Sequence, residues 1–91
     1  MRIVWDEAKR RINLATHGLD LADAESFDWE HAIVVAGHRS KDGRPRYRAI
    51  GWLGRDVVTI VLSPLGSEAV SVISLRRASR SERRQHGERN T

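Results

Sequence analysis

Three consecutive strands are predicted in RYRAIGWLGRDVVTIVLSPLGSEAVSVISL, residues 46–75. The first segment alternates, with Tyr47, Ala49, Gly51 and Leu53 on one face and Arg46, Arg48, Ile50 and Trp52 on the other. After a GRD turn, VVTIVLS is nearly continuously apolar, which is typical of a central strand covered on both faces. PLGSE turns the chain again, and AVSVISL alternates as the last strand. Because the turns are short, the stretch predicts an antiparallel meander.

The segment before the meander predicts two further strands. RIVW, residues 2–5, is a short β-branched run that suits an edge or terminal strand. HAIVVAG, residues 31–37, is the first strand after the helical part, and a loop rich in turn formers joins it to the meander. No repeat or linker divides residues 1–91, so we expect one α+β domain with its helices on one face of the sheet.

Two N-terminal helices are predicted between these strands. Asp6 is a suitable N-cap, and Gly18 can adopt the left-handed backbone conformation that commonly ends a helix. The first helix should therefore run from Asp6 to about His17. Its apolar residues at helical spacing, which we expect to point to the core, are Ala8, Ile12 and Ala15. A second, shorter helix begins at Asp20, and its apolar positions are Leu21, Ala24 and Phe27.

The C-terminal segment predicts a short basic helix. Ser79 and Glu82 have the spacing of a capping box, which places a helix from about Arg80 to His86. Ala78 is the only apolar residue near it, so the helix has no apolar stripe to bury. Such a helix is weakly held unless a polar or acidic group holds it.

Composition bounds the function classes. The absence of cysteine removes disulfides, thiolate nucleophiles and thiolate zinc sites, and no apolar segment approaches the roughly 20 residues of a membrane helix. We therefore expect a cytoplasmic protein with no membrane partner. The net charge of +4 lies entirely in residues 76–91, which hold six arginines and two glutamates (6 − 2 = 4). Arginine suits bidentate phosphate contacts, although a GC-rich genome produces the same bias.

Two motifs resemble one family. WDEAKRRINLATHG, residues 5–18, is similar to the opening of the BrnT toxins, and ADAESFD, residues 22–28, resembles the helix that follows in them. The meander and VSVISLRRASRSERR, residues 70–84, resemble their strands and closing signature. The chain departs from the family pattern at three places, with Leu65 in place of an arginine, Thr16 in place of a lysine and His86 near the place of a tyrosine.

The resemblance implies a fold, an activity and a partner. The implied fold is RelE-like α+β, and the implied function is that of the toxin of a type II toxin–antitoxin system, which halts growth by cutting RNA. The partner is a ribbon-helix-helix antitoxin, which we expect to form a heterotetramer of two toxins and two antitoxins. DNA is contacted only through the antitoxin, as a repressor of the shared operon.

RNA cleavage without a metal needs a base, an acid and cations for the phosphoryl oxygens. The chain has no carboxylate cluster at metal-ligand spacing, so we expect neither a metal nor another cofactor, and a 2′,3′-cyclic phosphate product. Candidate catalytic residues are His17, Arg76, Arg77, Glu82, Arg83 and His86. Candidate RNA-binding residues are Lys9, Asn13, Arg46, Arg48 and Arg80.

Structural roles remain open for these residues. For Glu82 the alternative is a role as a helix cap alone, and for His17 it is a hydrogen bond at the helix C-terminus beside Gly18. For the arginines it is a basic end of the chain that is simply solvated. His31 and His38 are interpreted as loop or strand-edge residues without a role. The alternative function is a catalytically impaired module that binds RNA or a partner and acts mainly as an operon repressor with the antitoxin; a weaker one is a purely structural subunit of that repressor.

Overall fold

The computed structural model describes residues 1–89, with side chains as far as Gly87. The elements in chain order are β1 (Arg2–Val4), α1 (Glu7–His17), a 3-10 helix (Leu21–Ser26), β2 (Ile33–Ala36), β3 (Tyr47–Leu53), β4 (Asp56–Leu65), β5 (Ala69–Arg77) and α2 (Arg80–Arg89). No helix in the described residues is long and apolar enough to span a membrane.

The five strands form one sheet in the order β1-β5-β4-β3-β2. The predicted meander is confirmed, since β2 to β5 are antiparallel neighbours and β4 is central. The predicted edge position of the first strand is confirmed as well, and β1 joins the edge of β5 in parallel. The N-terminal strand takes the edge that the last strand of the meander leaves unpaired, and the sheet is therefore mixed.

The core lies between one face of the sheet and the 3-10 helix. The predicted alternation of β3 is confirmed, because Ala49 is fully buried on this face and Tyr47 and Leu53 pack against the core. Gly51 allows the close approach of the 3-10 helix, since a Cβ there would lie 2.9 Å from Phe27 Cζ. The other buried apolar side chains of this cluster are Leu21, Ala24, Val58, Ile60, Leu62, Val72 and Leu75.

The second predicted helix is instead a single 3-10 segment of six residues. Its buried residues Leu21 and Ala24, followed by Phe27, recur every three positions. That spacing matches the three residues per turn of a 3-10 helix, which brings all three to one side. The predicted core contacts are therefore confirmed although the helix type differs.

The predicted core face of α1 is wrong. Ala8 and Ala15 are exposed, and Ile12 is 64% exposed, whereas Asn13 is 4% exposed. Strand β1 pairs with β5 only as far as Ser71, so the remaining edge of β5 needs another partner. Asn13 supplies it, since its Nδ2 donates to the Leu75 carbonyl at 2.8 Å and its Oδ1 accepts from the Leu75 N–H at 3.1 Å. The side-chain amide thus continues the strand pairing that β1 ends.

The expectation that the helices share one face of the sheet is wrong, because helix α2 packs on the other face through polar side chains. The predicted capping box is confirmed by the Ser79 N–H, which donates to Glu82 Oε1, and by the Glu82 N–H, which donates to Ser79 Oγ. The helix continues to Arg89, three residues beyond the predicted end. Glu82 and His86 are each 3% exposed, so α2 buries a carboxylate and an imidazole where an apolar stripe is missing.

Candidate active site

Glu82 is the centre of a buried ionic cluster. Its Oε1 accepts from Arg76 Nη1 at 2.7 Å, and its Oε2 accepts from Arg76 Nη2 at 3.0 Å and from Arg48 Nη1 at 2.7 Å. The carboxylate therefore joins three elements, α2, β5 and β3. Burial acts to raise the pKa of Glu82, but hydrogen bonds from Arg76, the Ser79 backbone and Arg48 outweigh burial, and the pKa lies far below its usual range. Glu82 is accordingly an anion that fixes two guanidinium groups, and it is a poor proton acceptor.

The two arginines held by Glu82 line a cavity of about 460 Å³ together with Arg46. This arginine cavity is lined by Ala36, Gly37, His38, Arg46, Arg48, Val61 and Arg76. Three guanidinium groups and one carboxylate leave a formal charge of 3 − 1 = +2 around it. The arrangement fits an anion with several oxygen acceptors, because each guanidinium offers donors in a planar fork.

A second cavity of about 390 Å³ lies beside helix α1. Three of the candidate residues, Lys9, Asn13 and His17, line it from α1. The complete lining is Lys9, Ile12, Asn13, Thr16, His17, Arg46, Ile73 and Ser74. Arg46 belongs to both cavities, so it forms their common wall. Lys9 and His17 thus place an ammonium group and an imidazole in the cavity next to the arginine cavity.

The structure separates the remaining predicted residues from the arginine cavity. Arg77 lies beside Asp56, with 3.4 Å between Nη1 and Oδ1, and its side chain is 68% exposed. Arg80 and Arg83 are exposed on α2. His86 is buried under α2 and meets Trp52 edge to face, with 5.8 Å between ring centroids. The arginines that line the cavity are thus Arg46, Arg48 and Arg76, and neither Arg80 nor Arg83 belongs to its lining.

His38, which was interpreted from the sequence as a loop or strand-edge residue without a role, also lines the arginine cavity. It follows β2, and the Gly37 N–H donates to the Arg46 carbonyl at 2.8 Å, so the hairpin places His38 next to the start of β3. In the sequence, the one feature that points to His38 is its position just after β2, the strand that pairs with β3 and its Arg48. The described residues contain no group of three or more His, Asp or Glu side chains that could hold a metal ion.

The chain is similar to known proteins over most of its length. The profile of the family described as the ribonuclease toxin BrnT of type II toxin–antitoxin systems matches residues 5–82. The chain belongs to the BrnT family. Its structure is similar to the 1.1 Å crystal structure of the ribonuclease toxin BrnT of Brucella abortus, at a TM-score of 0.67 and 42% identity over 88% of this chain and 99% of that one. No curated protein sequence matches the chain.

Membership of the BrnT family gives the site its context. The family is one of ribonuclease toxins of type II toxin–antitoxin systems, so RNA is the target and an antitoxin is the partner. Leu65, which stands where the resemblance implies an arginine, lies at the end of β4 and lines an opening with Met1 and Arg2. That opening is separate from the arginine cavity, whose three guanidinium groups are all present.

Proposed function

We propose that this chain is a metal-independent endoribonuclease that binds a phosphodiester of RNA in the arginine cavity. The convergence of Arg46, Arg48 and Arg76 around that cavity carries the proposal. Two of them are oriented by the buried carboxylate of Glu82, so their donors are fixed before the substrate arrives. Preorganised cations of this kind stabilise the charge that develops on phosphoryl oxygens in the transition state.

The α1 cavity extends this site along the RNA. Lys9 and His17 lie on the side of Arg46 that faces α1, and the neighbouring phosphate or ribose of a bound strand fits there. Asn13 also lines this cavity, but its amide is already hydrogen-bonded to the backbone, since Nδ2 donates to the Leu19 carbonyl at 2.7 Å as well as to Leu75. We assign Asn13 to anchoring α1 and Lys9 and His17 to contact with RNA.

The reaction class follows from the groups present. Attack by the ribose 2′-hydroxyl on the adjacent phosphorus, with departure of the 5′-oxygen, leaves a 2′,3′-cyclic phosphate and needs proton transfer and cationic stabilisation. The toxin acts in the cytoplasm on RNA that serves translation, and its fold is of the RelE-like class. The α+β architecture and the family membership support this assignment.

The partner is proposed to be a ribbon-helix-helix antitoxin that forms a complex of two toxins and two antitoxins. A surface with a local charge of +2 at its centre favours an acidic covering segment. Light scattering on the co-purified complex measures its mass. A complex of one toxin with one antitoxin would contradict the stoichiometry.

The test of the proposed activity is a cleavage assay in EDTA with the purified chain freed of its partner, followed by mapping of the product ends. Arg76→Ala and Arg77→Ala are a matched pair, because the two residues are adjacent on β5 and only Arg76 lines the cavity. We expect cyclic phosphate ends from wild type and from Arg77→Ala, and a loss of about 100-fold or more for Arg76→Ala. Equal activity of the two variants would contradict the site.

An uncleaved RNA that is nonetheless bound by the folded wild-type chain would favour the alternative function, a binding module that represses its operon with the antitoxin. The salt dependence of that binding would still report the arginine cavity, because each neutralised phosphate releases counterions. RNA that is neither bound nor cut would favour a purely structural subunit of the repressor.

A further inference from the structure

Among the residues that the structure describes, only one side chain in the lining of the arginine cavity can accept a proton. Its lining consists of three arginines, apolar residues and His38. A guanidinium group carries donors only and keeps its charge in proteins, so it cannot take a proton from a substrate. Glu82, which lies behind Arg48 and Arg76, has both carboxylate oxygens occupied by those arginines. Among the described residues at this cavity, the imidazole of His38 is left as the acceptor.

The backbone around His38 is held on both sides. The Gly37 N–H bonds the Arg46 carbonyl, and a Cβ at Gly37 would lie 3.2 Å from that oxygen, so the hairpin is tight at this point. The loop beyond His38 is closed by the Ser40 N–H, which donates to the Arg44 carbonyl at 3.1 Å, and by the Gly43 N–H, which donates to the Ser40 carbonyl at 2.9 Å. A proton acceptor on this hairpin has a defined place relative to Arg46.

The other imidazoles are less well placed for a phosphate in this cavity. His86 is 3% exposed beneath α2 and packs against Trp52. His17 lines the α1 cavity and not the arginine cavity. His31 pairs with Asp28 at 2.9 Å, away from both cavities.

We propose that His38 is the general base of the cleavage reaction. This inference rests on the proposed ribonuclease function and names the group that starts it. The ribose 2′-oxygen forms a bond to phosphorus as its proton passes to the His38 imidazole. The bond from phosphorus to the 5′-oxygen breaks, its electron pair remains on that oxygen, and water supplies the proton that completes the 5′-hydroxyl. The hydroxide left by that water then takes the proton from the His38 imidazole, which restores the base. The arginines bind the phosphoryl oxygens throughout, and no oxidant, reductant or further reactant is needed.

The experiment compares wild type, His38→Ala and His31→Ala by single-turnover cleavage of a short RNA in EDTA. Binding is measured separately with the same RNA carrying 2′-O-methyl groups, which cannot attack phosphorus. Because a positioned base contributes about 100-fold or more, we expect His38→Ala to lose that much rate at nearly unchanged affinity. His31→Ala is the control for loss of a surface imidazole and should cleave like wild type. Imidazole added to the buffer should restore part of the rate of His38→Ala, since the truncation leaves space beside the arginines.

Each outcome decides the inference. Cleavage by His38→Ala within a few-fold of wild type would overturn it while leaving the ribonuclease function intact. A lost rate accompanied by an equal loss of affinity, without rescue by imidazole, would assign His38 to binding and would also overturn it. A folded wild-type chain that binds RNA and never cuts it would overturn the proposed function itself, and the inference with it.

Discussion

Glu82 and Arg76 are joined by two hydrogen bonds, 2.7 Å from Nη1 to Oε1 and 3.0 Å from Nη2 to Oε2, and Glu82 is 3% exposed. The same carboxylate caps helix α2 through the Ser79 N–H and reaches Arg48 on β3. One residue thus docks the C-terminal helix and orients two of the three arginines that line the cavity. Stability of α2 and geometry of the proposed phosphate site are consequently coupled.

Glu82→Gln should weaken both properties. The amide keeps the shape of the side chain but leaves Arg48 and Arg76 without their counter-charge at a buried position. We expect the free energy of unfolding to fall by about 2–3 kcal/mol, less than for a fully enclosed pair because both arginines reach solvent. RNA cleavage should fall as well. Urea unfolding and single-turnover rates measure the two effects, and Glu25→Gln, at an exposed position of the 3-10 helix, is the control. A stable but inactive variant would show that the carboxylate acts on catalysis alone.

Acid should destabilise the protein through its paired carboxylates. Arg10 binds Asp20 through Nε and Nη2, and these bonds, with the Ala22 N–H, lower the pKa of Asp20 to about 2. A carboxylate with a lowered folded-state pKa stabilises the fold above its unfolded-state value of about 4 and loses that contribution as pH falls. The free energy of unfolding should therefore decrease from about pH 5 to about pH 2.

Asp20→Asn tests the source of this acid dependence. The variant should be less stable near neutral pH and should lose less stability than wild type on acidification. Asp23→Asn, on the same 3-10 helix and without an ion pair to a described residue, should keep the wild-type slope. Parallel pH profiles of Asp20→Asn and wild type would contradict the assignment.

Asn13→Ala should lower the free energy of unfolding more than Ile12→Ala does. This order is the reverse of the one that hydrophobicity suggests. Asn13→Ala leaves the Leu75 N–H and carbonyl and the Leu19 carbonyl without their partner, which we expect to cost about 3 kcal/mol. Ile12 is 64% exposed, so truncation there should change stability by no more than about 0.5 kcal/mol. Thermal and urea unfolding of both variants make the comparison. A larger loss for Ile12→Ala would mean that α1 packs through its apolar stripe.

Arg46→Ala should weaken RNA binding and reduce its salt dependence. Arg46 lines both cavities and forms no ion pair with another described side chain, so its charge is available to a phosphate. Loss of one phosphate contact should reduce the slope of log affinity against log salt by about 0.7 for single-stranded RNA. Arg55→Ala, exposed in the turn between β3 and β4, should leave the slope unchanged. Equal slopes for Arg46→Ala and wild type would remove Arg46 from the RNA path.

The buried face of α1 could not be predicted from hydrophobic spacing. The apolar spacing of Ala8, Ile12 and Ala15 predicted a buried face, but the helix lies against a strand edge and not against an apolar sheet face. An edge presents N–H and C=O groups, so an amide satisfies it better than a methyl group does. Nothing near Asn13 in the chain indicates that the outer edge of β5 at Leu75, 62 residues away, has no strand beside it.

The sequence by itself determined the local structure of this protein: the alternation in β3, the continuous apolar run of β4, the stop at Gly18 and the capping box of Ser79 and Glu82. Each of these depends on residues a few positions apart, whose periodicity and hydrogen bonding are local. Only the tertiary structure brought Arg48 to Glu82 across 34 positions and placed His38 beside Arg46 and Arg76. Those encounters follow from strand order and register, which set the distance between side chains far apart in the chain.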